Sequence, residues 1–192
     1  MIKKCSDRIL AMAVLLILLV PLLMIWIINC WNMRSNGLFY QTRIGQYGKP
    51  FTIYKLQTIH PKKRTISKWG SFLRATKWDE VPQLFNILKG EMSFVGPRPD
   101  IPGYADRLIG EDRIILQYKP GLTGIASIKY RDEEALLATV QNPLVYNDTI
   151  IWPDKVRINK WYAQHQSVLL DCKILWCTFW QRDWKGSPIS DQ

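Results

Sequence analysis

The sequence predicts a helix-rich α/β chain that begins with a membrane segment. Three observations lead to this prediction: a long apolar run near the N-terminus, an alternating pattern typical of a β-hairpin after it, and several helix-like stretches beyond. The chain has 192 residues, a formal net charge of +10 and 47% hydrophobic residues. This length is typical of one domain, and the composition excludes disordered and low-complexity chains.

The apolar run is Ile9–Trp31, which contains no charged residue. About 20 apolar residues are enough to cross the hydrocarbon core of a bilayer. A secretory signal peptide has a shorter apolar region of about 7–15 residues and a cleavage site with small residues. This run ends instead at Trp31, Asn32, Met33 and Arg34. We therefore expect residues 1–33 to form a retained membrane segment.

The orientation of this segment follows from the charges around it. Basic residues flank the run on both sides: Lys3, Lys4 and Arg8 before it, and Arg34, Arg43 and Lys49 after it. Basic flanks favour the cytoplasmic side of the membrane. Pro21 lies near the middle of the run, where a proline kinks a helix. Together they favour a re-entrant helix-break-helix, with a straight single-pass helix that tolerates its proline as the alternative.

Residues 34–192 contain the remaining predicted elements. Gly37–Ile59 alternates aromatic or β-branched with polar residues and has turn residues at Gly45 and at 48–50, which predicts a hairpin. A Pro/Gly-rich loop is expected over Ser93–Gly103, and a turn-rich connection into a short strand over Lys119–Ile128. Helices are predicted at Thr65–Ala75, Glu80–Lys89, Tyr104–Tyr118 and, as one long or two short amphipathic helices, Trp152–Trp184.

The first candidate cluster surrounds two adjacent carboxylates, Asp79 and Glu80. Thr76 and Asp79 have the spacing of a capping box, and Pro82 is tolerated in a first helical turn. On local pattern alone, the favoured interpretation is that the carboxylates complement the helix N-terminus, a contribution of about 0.3–1 kcal/mol each. The alternative is chemical: Asp79 would act as a nucleophile toward phosphorus, while Glu80 would hold a metal ion or move a proton.

Two further clusters contain basic residues. In Gly96-Pro97-Arg98-Pro99, two prolines restrict the backbone around one arginine, which suits the binding of a phosphate. Gly45–Lys55 is glycine- and lysine-rich but matches no phosphate-loop fingerprint. No reading helix or zinc finger accompanies the positive charge, so a nucleic-acid partner is disfavoured against anionic lipid and a phosphorylated substrate.

Taken in order, these clusters carry a more specific pattern. The strings are GSFLR at 70–74, WDEVPQLFNILKGEMSFVGPRP at 78–99 and KPGLTG at 119–124, with Gln41, Arg43, Gly45, Gly48, Lys49 and Lys55 upstream and Asp171, Lys173, Ile174 and Leu175 downstream. This pattern resembles the bacterial sugar transferase family, the monotopic phosphoglycosyl transferases. The resemblance covers residues 3–178.

The resemblance implies an activity and a set of site residues. Members transfer a phosphosugar from a UDP-sugar to a polyprenol phosphate, release UMP and so begin the assembly of a surface glycan. Asp79 would attack the phosphate that carries the sugar and form a covalent intermediate, with Glu80 as its catalytic partner. Mg²⁺ is expected at Asp79. The expected substrate-binding residues are Arg74, Arg98, Pro97 and, more weakly, Lys55.

The resemblance also implies a fold and a location. Residues 34–192 would form a small α/β catalytic domain with amphipathic interfacial helices, on the cytoplasmic face of the inner membrane and in contact with anionic lipid. Val20, Gln57 and Trp78 depart from the family pattern, and we expect them to affect efficiency or sugar choice. A non-catalytic membrane scaffold is the alternative function. The sequence leaves the sugar open, and also whether the chain forms a homo-oligomer.

Overall fold

A computed structural model of the protein describes residues 2–189, without the side chain of Ile2. The chain divides into two compact units, residues 1–43 with 50–93, and residues 44–49 with 94–192. Short strands and many helices confirm the predicted helix-rich α/β class. The strands are β1 (Leu38–Ile44), β2 (Pro50–Leu56), β3 (Ser93–Val95) and β4 (Gly121–Thr123). The helices are α1 (Ile2–Met33), α2 (Lys68–Ala75), α3 (Leu84–Lys89), α4 (Ile125–Lys129), α5 (Glu133–Thr139), α6 (Pro143–Tyr146), α7 (Trp152–His165) and α8 (Val168–Phe179).

Helix α1 contains the apolar run and is long and apolar enough to cross a membrane. It continues as one helical element through Pro21, so the expected break and re-entry stay predictions. One side of the helix is buried, and its buried residues recur four or seven positions apart: Ala11, Leu15, Leu22, Asn29 and Met33. The other side is exposed, with Ile17 at 76% and Trp31 at 87% accessibility. An apolar surface of this extent is typical of a membrane-associated helix.

Both ends of α1 are hydrogen-bonded within the first unit. Near the N-terminal end, the Ser93 hydroxyl donates to Asp7 Oδ2 at 2.7 Å. Near the C-terminal end, the Asn29 amide donates to the Gly37 carbonyl at 2.8 Å and to the Gln57 carbonyl at 3.0 Å. The chain before the apolar run and the chain after it are therefore attached to the same folded unit.

The rest of the first unit consists of the predicted hairpin and two short helices. β1 and β2 pair as a two-stranded sheet, which confirms the hairpin. Ser67 caps α2 by accepting from the Gly70 amide, so this helix begins later than predicted. The helix predicted over Glu80–Lys89 is a 3-10 helix, Trp78–Gln83, followed by α3, which ends at Gly90 in the left-handed conformation. The buried core comprises Ile53, Leu56, Leu73, Leu84 and Ile87.

The second unit contains β4, the part of β3 from Phe94 onward that pairs with it, and the C-terminal helices. The helix predicted over Tyr104–Tyr118 is instead two 3-10 segments, Ala105–Arg107 and Gly110–Gln117. For the C-terminal segment we predicted one long helix or two short ones, and it forms two, α7 and α8. Ser167 separates them, because its hydroxyl caps α8 by accepting from the Leu170 amide. Among its most completely buried side chains are Ile125, Ile151, Ile158 and Ile174.

Candidate active site

A sharp turn between α2 and the following 3-10 helix presents the two carboxylates. The predicted capping box at Thr76 is wrong: Thr76 ends α2, and its hydroxyl donates back to the Phe72 carbonyl at 2.7 Å. Lys77 then adopts a left-handed conformation, with φ of 59°. This reversal places Asp79 and Glu80 in the first turn of the 3-10 helix Trp78–Gln83.

The Asp79 carboxylate is buried and incompletely satisfied. Asp79 is only 8% exposed to solvent, and its Oδ1 has no hydrogen-bond partner among residues 2–189. Burial raises the pKa of this carboxyl above its ordinary value of 3.8, and the neighbouring negative charge of Glu80 raises it further. The positive charges of Lys55, Lys77 and Arg74 act in the opposite direction. Such an acceptor, buried among cations, is a candidate site for a phosphate-bearing ligand.

Glu80 is held by a lysine from the hairpin. Lys55 Nζ lies 2.7 Å from Glu80 Oε1, and both side chains are largely buried. Lys55 is carried by β2, which the fully buried Asn86 fixes to α3. The Asn86 side chain accepts from the Tyr54 amide at 3.2 Å and donates to the Thr52 carbonyl at 2.7 Å. These hydrogen bonds fix the backbone of β2, so Lys55 is held in place to pair with Glu80.

Arg74 is positioned by the chain after the hairpin. Its Nε donates to the Thr58 hydroxyl at 3.0 Å, and Thr58 itself is buried. Helix α2 approaches this segment closely at Gly70, where an added Cβ would lie 2.4 Å from the Thr58 carbonyl oxygen. The glycine therefore permits the contact that fixes the end of α2 and the direction of Arg74.

The Gly-Pro-Arg-Pro loop belongs to the second unit. The Gly96 amide donates to the Thr123 carbonyl at 3.0 Å, and the Gly121 amide donates to the Pro97 carbonyl at 2.8 Å. A Cβ on Gly96 would lie 2.4 Å from the Lys119 carbonyl oxygen, so only glycine fits there. Two strings recognised in the sequence, 96–99 and 119–124, thus pack on each other. Pro97 and Pro99 are buried by this packing, while Arg98 is exposed.

The structure thus brings four predicted site residues, Lys55, Arg74, Asp79 and Glu80, into one neighbourhood of the first unit. Pro97 and Arg98 lie on the separate loop just described. Sequence reasoning did not identify Thr58 and Asn86 as supports of this site. The only sequence signal for Asn86 is one amide inside the apolar run LFNIL, which a surface asparagine would give equally.

The two carboxylates are candidate ligands for a metal ion. Within residues 2–189 there is no group of three or more His, Cys, Asp or Glu side chains that could hold a metal ion. Mg²⁺ is commonly held by one or two carboxylates together with substrate phosphates. The unpartnered Oδ1 of Asp79 fits that arrangement, as an oxygen ligand with no competing donor among the described residues.

These features describe a chain with one long apolar helix, of the kind found in membrane-associated proteins, and a buried carboxylate with an unpartnered oxygen beside positive charges. The family model described as bacterial sugar transferase matches residues 1–183, and the chain belongs to this family of phosphoglycosyl transferases. Comparison with curated proteins gives the same class. The chain is 34% identical over 154 residues to the uncharacterised sugar transferase EpsL of Bacillus subtilis (strain 168), covering 75% of this chain and 68% of that protein.

Two other relatives have more specific names. The UDP-glucose:undecaprenyl-phosphate glucose-1-phosphate transferase of Klebsiella pneumoniae is 33% identical over 93% of this chain, which spans 39% of that protein. The putative undecaprenyl-phosphate N-acetylgalactosaminyl 1-phosphate transferase of Bacillus subtilis (strain 168) is 34% identical over 57% of this chain and 68% of its own length. The relatives thus differ in the sugar that their names specify.

Proposed function

We propose that the protein transfers a sugar phosphate from a UDP-sugar to polyprenol phosphate, releases UMP and so begins the assembly of a surface glycan. The observation that carries this proposal is the buried Asp79 carboxylate, with one unpartnered oxygen, beside Glu80 and the charges of Lys55, Arg74 and Lys77. The names of the relatives, which specify UDP-glucose and undecaprenyl phosphate, support the donor and the acceptor.

The reaction would proceed in two displacements. An Asp79 carboxylate oxygen attacks the phosphorus that carries the sugar, and the bond from this phosphorus to the bridging oxygen breaks, so UMP leaves. A phosphate oxygen of the polyprenol phosphate then attacks the same phosphorus, and Asp79 departs as a free carboxylate. The products are UMP and a polyprenol diphosphate sugar, and the enzyme returns to its starting state.

The surroundings of Asp79 suit this role. A raised pKa makes the ionised carboxylate a stronger nucleophile than an exposed aspartate. The positive charges of Lys55, Lys77 and Arg74 favour its ionised form and, at the same time, attract the diphosphate of the donor. Lys55 also fixes Glu80 through their 2.7 Å ion pair, so the second carboxylate keeps one orientation beside the nucleophile.

Mg²⁺ and the arginine of the proline-rich loop complete the proposal. Asp79 would provide the metal ligand, and the ion, when bound, neutralises charge on the diphosphate. Pro97 and Pro99 restrict the loop around Arg98, which leaves the guanidinium as an exposed phosphate-binding group.

We further propose that α1 is re-entrant and that the protein lies on the cytoplasmic face of the inner membrane. The attachment of both ends of α1 to one unit supports this, because the two ends of a spanning helix emerge on opposite sides of the bilayer. Helix α8 supports an interfacial role as well. Its exposed side carries apolar residues, namely Leu169, Trp176 and Phe179, with Trp180 directly after the helix.

The topology can be tested with native and introduced thiols. Two variants would be compared, both without Cys30, Cys172 and Cys177: one keeps the native Cys5 as its single thiol, and the other has Ser35→Cys in place of Cys5. Each thiol would be labelled from outside sealed inverted vesicles. A re-entrant segment makes both thiols accessible from the same side. Labelling from opposite sides would establish a spanning helix.

The reaction can be tested by nucleotide release. Purified protein in nanodiscs would receive Mg²⁺, polyprenol phosphate and a panel of UDP-sugars, with Asp79→Asn as the inactive variant and Asp183→Asn, an exposed aspartate, as the matched control. We expect UMP from the wild type and from Asp183→Asn, and none from Asp79→Asn. Release of UDP would contradict the proposal, since it indicates glycosyl transfer without the phosphate.

A further inference from the structure

Almost all of the net positive charge belongs to the first unit. This unit contains 13 Lys and Arg residues against four Asp and Glu, which gives it a net charge of +9. The second unit contains 13 basic residues against 12 acidic ones, so it is nearly neutral. The first unit also contains the apolar helix α1. A strong positive charge on the unit that contains the membrane helix favours an anionic lipid surface as its partner.

Four exposed basic residues of this unit follow one another closely in the chain, namely Lys62, Lys63, Arg64 and Lys68. Their side chains form no hydrogen bond or ion pair with any residue between 2 and 189. The four carboxylates of the unit are paired with other residues or buried: Asp7 with Ser93, Glu80 with Lys55, Glu91 with Asn86, and Asp79 in the candidate site. The charge of the four basic residues is therefore available to a ligand.

Three of these basic residues lie at the turn of a short hairpin, residues 59–66, which we call the basic hairpin. Its ends pair as an antiparallel bridge between Ile59 and Ile66. At the turn, the His60 ring Nδ1 accepts from the backbone amides of Lys62 and Lys63, at 3.2 and 3.3 Å. These contacts give the turn a defined backbone, from which the long basic side chains extend.

Exposed apolar side chains accompany the charges. Ile59 and Ile66 are both exposed, and so is Phe72 of α2. Helix α2 packs against the hairpin, since a Cβ added to Gly70 would lie 3.3 Å from Ile66 Cγ2. Lys68 and Phe72 are four residues apart and share one face of α2. Basic side chains beside exposed apolar ones are typical of a surface at the level of lipid headgroups.

The basic hairpin begins close to the C-terminal end of α1. The Asn29 amide of this helix donates to the Gln57 carbonyl at 3.0 Å, and the Ser35 hydroxyl donates to Gln57 Oε1 at 2.8 Å. The apolar run ends at this end of α1, whether the helix spans the bilayer or re-enters. Because an extended residue spans at most about 3.6 Å, Lys62 lies within about 18 Å of Gln57. The hairpin is thus near the point where the chain leaves the hydrocarbon core.

We propose that the basic hairpin and the adjoining start of α2 bind anionic lipid, with the four basic side chains donating to lipid phosphates. Groups of four to eight Lys and Arg directly beside a membrane helix are typical of such binding. A free phosphate would match the charge alone, whereas a bilayer also covers the exposed apolar residues. The inference rests on the proposed membrane location of α1, and it assigns these residues no part in the transfer reaction.

Fluorescence quenching in nanodiscs can test the contact at one residue. Thr65→Cys, at an exposed position next to Arg64, would carry a fluorophore in a background without the native cysteines. The discs would contain phosphatidylcholine alone or mixed with anionic phosphatidylglycerol, each with some lipid that carries a nitroxide on its headgroup. We expect strong quenching in the anionic discs and weaker quenching in the neutral ones. The difference should vanish at about 1 M salt, where the screening length falls to about 3 Å.

Removing charge should have a graded effect. Lys62→Gln alone should lower the ratio of quenched to unquenched probe in anionic discs by about fivefold. The triple change of residues 62–64 to Gln should reduce quenching to the level of neutral discs. A Lys62→Arg variant keeps the charge and should remain quenched, which separates the loss of charge from a folding defect. The matched control removes three exposed basic residues of the second unit and should leave quenching unchanged: Arg107→Gln, Arg113→Gln and Arg182→Gln.

A second probe separates failure of the inference from failure of the membrane location. A fluorophore at Ile17→Cys, on the exposed side of α1, should be quenched by lipids that carry the nitroxide on an acyl chain. If this probe is quenched but the hairpin probe is not, or responds equally in both kinds of disc, the inference is overturned and the location stands. No quenching at Ile17→Cys would overturn both.

A diphosphate ligand is the competing partner for these charges. If UDP-glucose abolishes the quenching of the hairpin probe in anionic discs, the inference is overturned and the basic residues belong to the donor. Quenching that persists with UDP-glucose present supports the lipid contact. UMP release is measured separately, so failure of the proposed reaction would leave the lipid contact in place.

Discussion

Two carboxylates of this protein, Asp79 in the first unit and Asp154 in the second, are both shielded from water but differ in their partners. Asp79 has an oxygen without a partner among the described residues, and its pKa is raised by burial and by Glu80. Asp154 accepts from Lys129 and Tyr130 on Oδ2, at 2.8 and 2.7 Å, and from Arg157 on Oδ1 at 2.7 Å. Burial alone would raise the pKa of Asp154, but these hydrogen bonds outweigh it and lower the pKa below 3.8.

The difference fits the role proposed for Asp79 and a structural role for Asp154. A charge whose acceptor sites are all used contributes to folding and has little capacity left for a ligand. A buried carboxylate with an unused acceptor site lowers the stability of the fold. Such a group is typical of sites where a substrate or an ion provides the missing contact. The number of hydrogen-bond partners, more than burial, therefore distinguishes the carboxylate of the candidate site, Asp79, from one that stabilises the fold, Asp154.

The largest expected effect concerns Asp79. We expect Asp79→Asn to reduce UMP release by about 10⁴-fold, since the nucleophile is lost. Its raised pKa means that the fold favours the protonated carboxyl, so its stabilising effect is present below pH 3.8 and lost as the pH rises through the folded pKa. At neutral pH the amide should therefore leave the thermal midpoint unchanged or raise it. A lowered midpoint would show that Asp79 stabilises the fold, as Asp154 does.

Lys55→Gln is expected to have the next largest effect. Without the ammonium group, Glu80 loses its 2.7 Å partner and Asp79 loses a nearby positive charge, so kcat/KM should fall by about 100-fold. Lys55→Arg should retain more activity because it preserves the charge. Lys4→Gln, an exposed lysine of the same unit, is the control and should retain full activity. Steady-state kinetics of UMP release measure all three, and an unaffected Lys55→Gln would leave the ion pair without a catalytic role.

Asp154→Asn should have the opposite effects to Asp79→Asn: lower stability and unchanged activity. Removing the charge weakens hydrogen bonds from three side chains, so we expect a loss of about 2 kcal/mol in the free energy of unfolding near neutral pH. The lowered pKa of Asp154 gives stability that is present above pH 3.8 and lost as the pH falls through the folded value, so the variant and the wild type should converge in acid. Thermal unfolding against pH measures this. Activity per folded molecule should not change.

The smallest expected effect comes from Tyr130→Phe. This change removes one neutral donor, 2.7 Å from Asp154 Oδ2, and leaves Lys129 and Arg157 in place. We expect a loss of about 1 kcal/mol, measured by denaturant unfolding. Tyr40→Phe, at a half-exposed tyrosine, is the matched control and should be neutral. A loss as large as that of Asp154→Asn would mean that the hydroxyl, and not the charge pairs, holds the carboxylate.

Local sequence patterns predicted the parts of the fold that depend on neighbouring residues. The apolar segment, the hairpin and the helical C-terminal segment follow from periodicity and turn residues, and the structure confirms these elements, although the sequence left open whether that segment forms one helix or two. The capping box failed because the motif cannot distinguish the end of α2 from the start of the next helix, and Thr76 serves the former.

Local sequence patterns did not predict the contacts between residues that are distant in the chain. Lys55 and Glu80 are 25 positions apart, and no local pattern pairs them. Local pattern alone favoured a capping role for Asp79 and Glu80, with a chemical role as the alternative, and only the longer family string favoured the chemical role. The fixation of β2 by Asn86 arises from tertiary packing, which single-sequence patterns do not encode.

The attachment of both ends of α1 has a consequence for protein engineering. Ala11, Leu15, Leu22 and Met33 are buried within the first unit, so α1 forms part of its hydrophobic core and also carries the exposed apolar surface. A truncated chain starting at residue 34 would expose the surface that α1 covers, and an unrelated single-pass anchor in its place would not restore that packing. Detergents or lipids chosen for purification therefore have to preserve a helix that is at once lipid-facing and part of the folded interior.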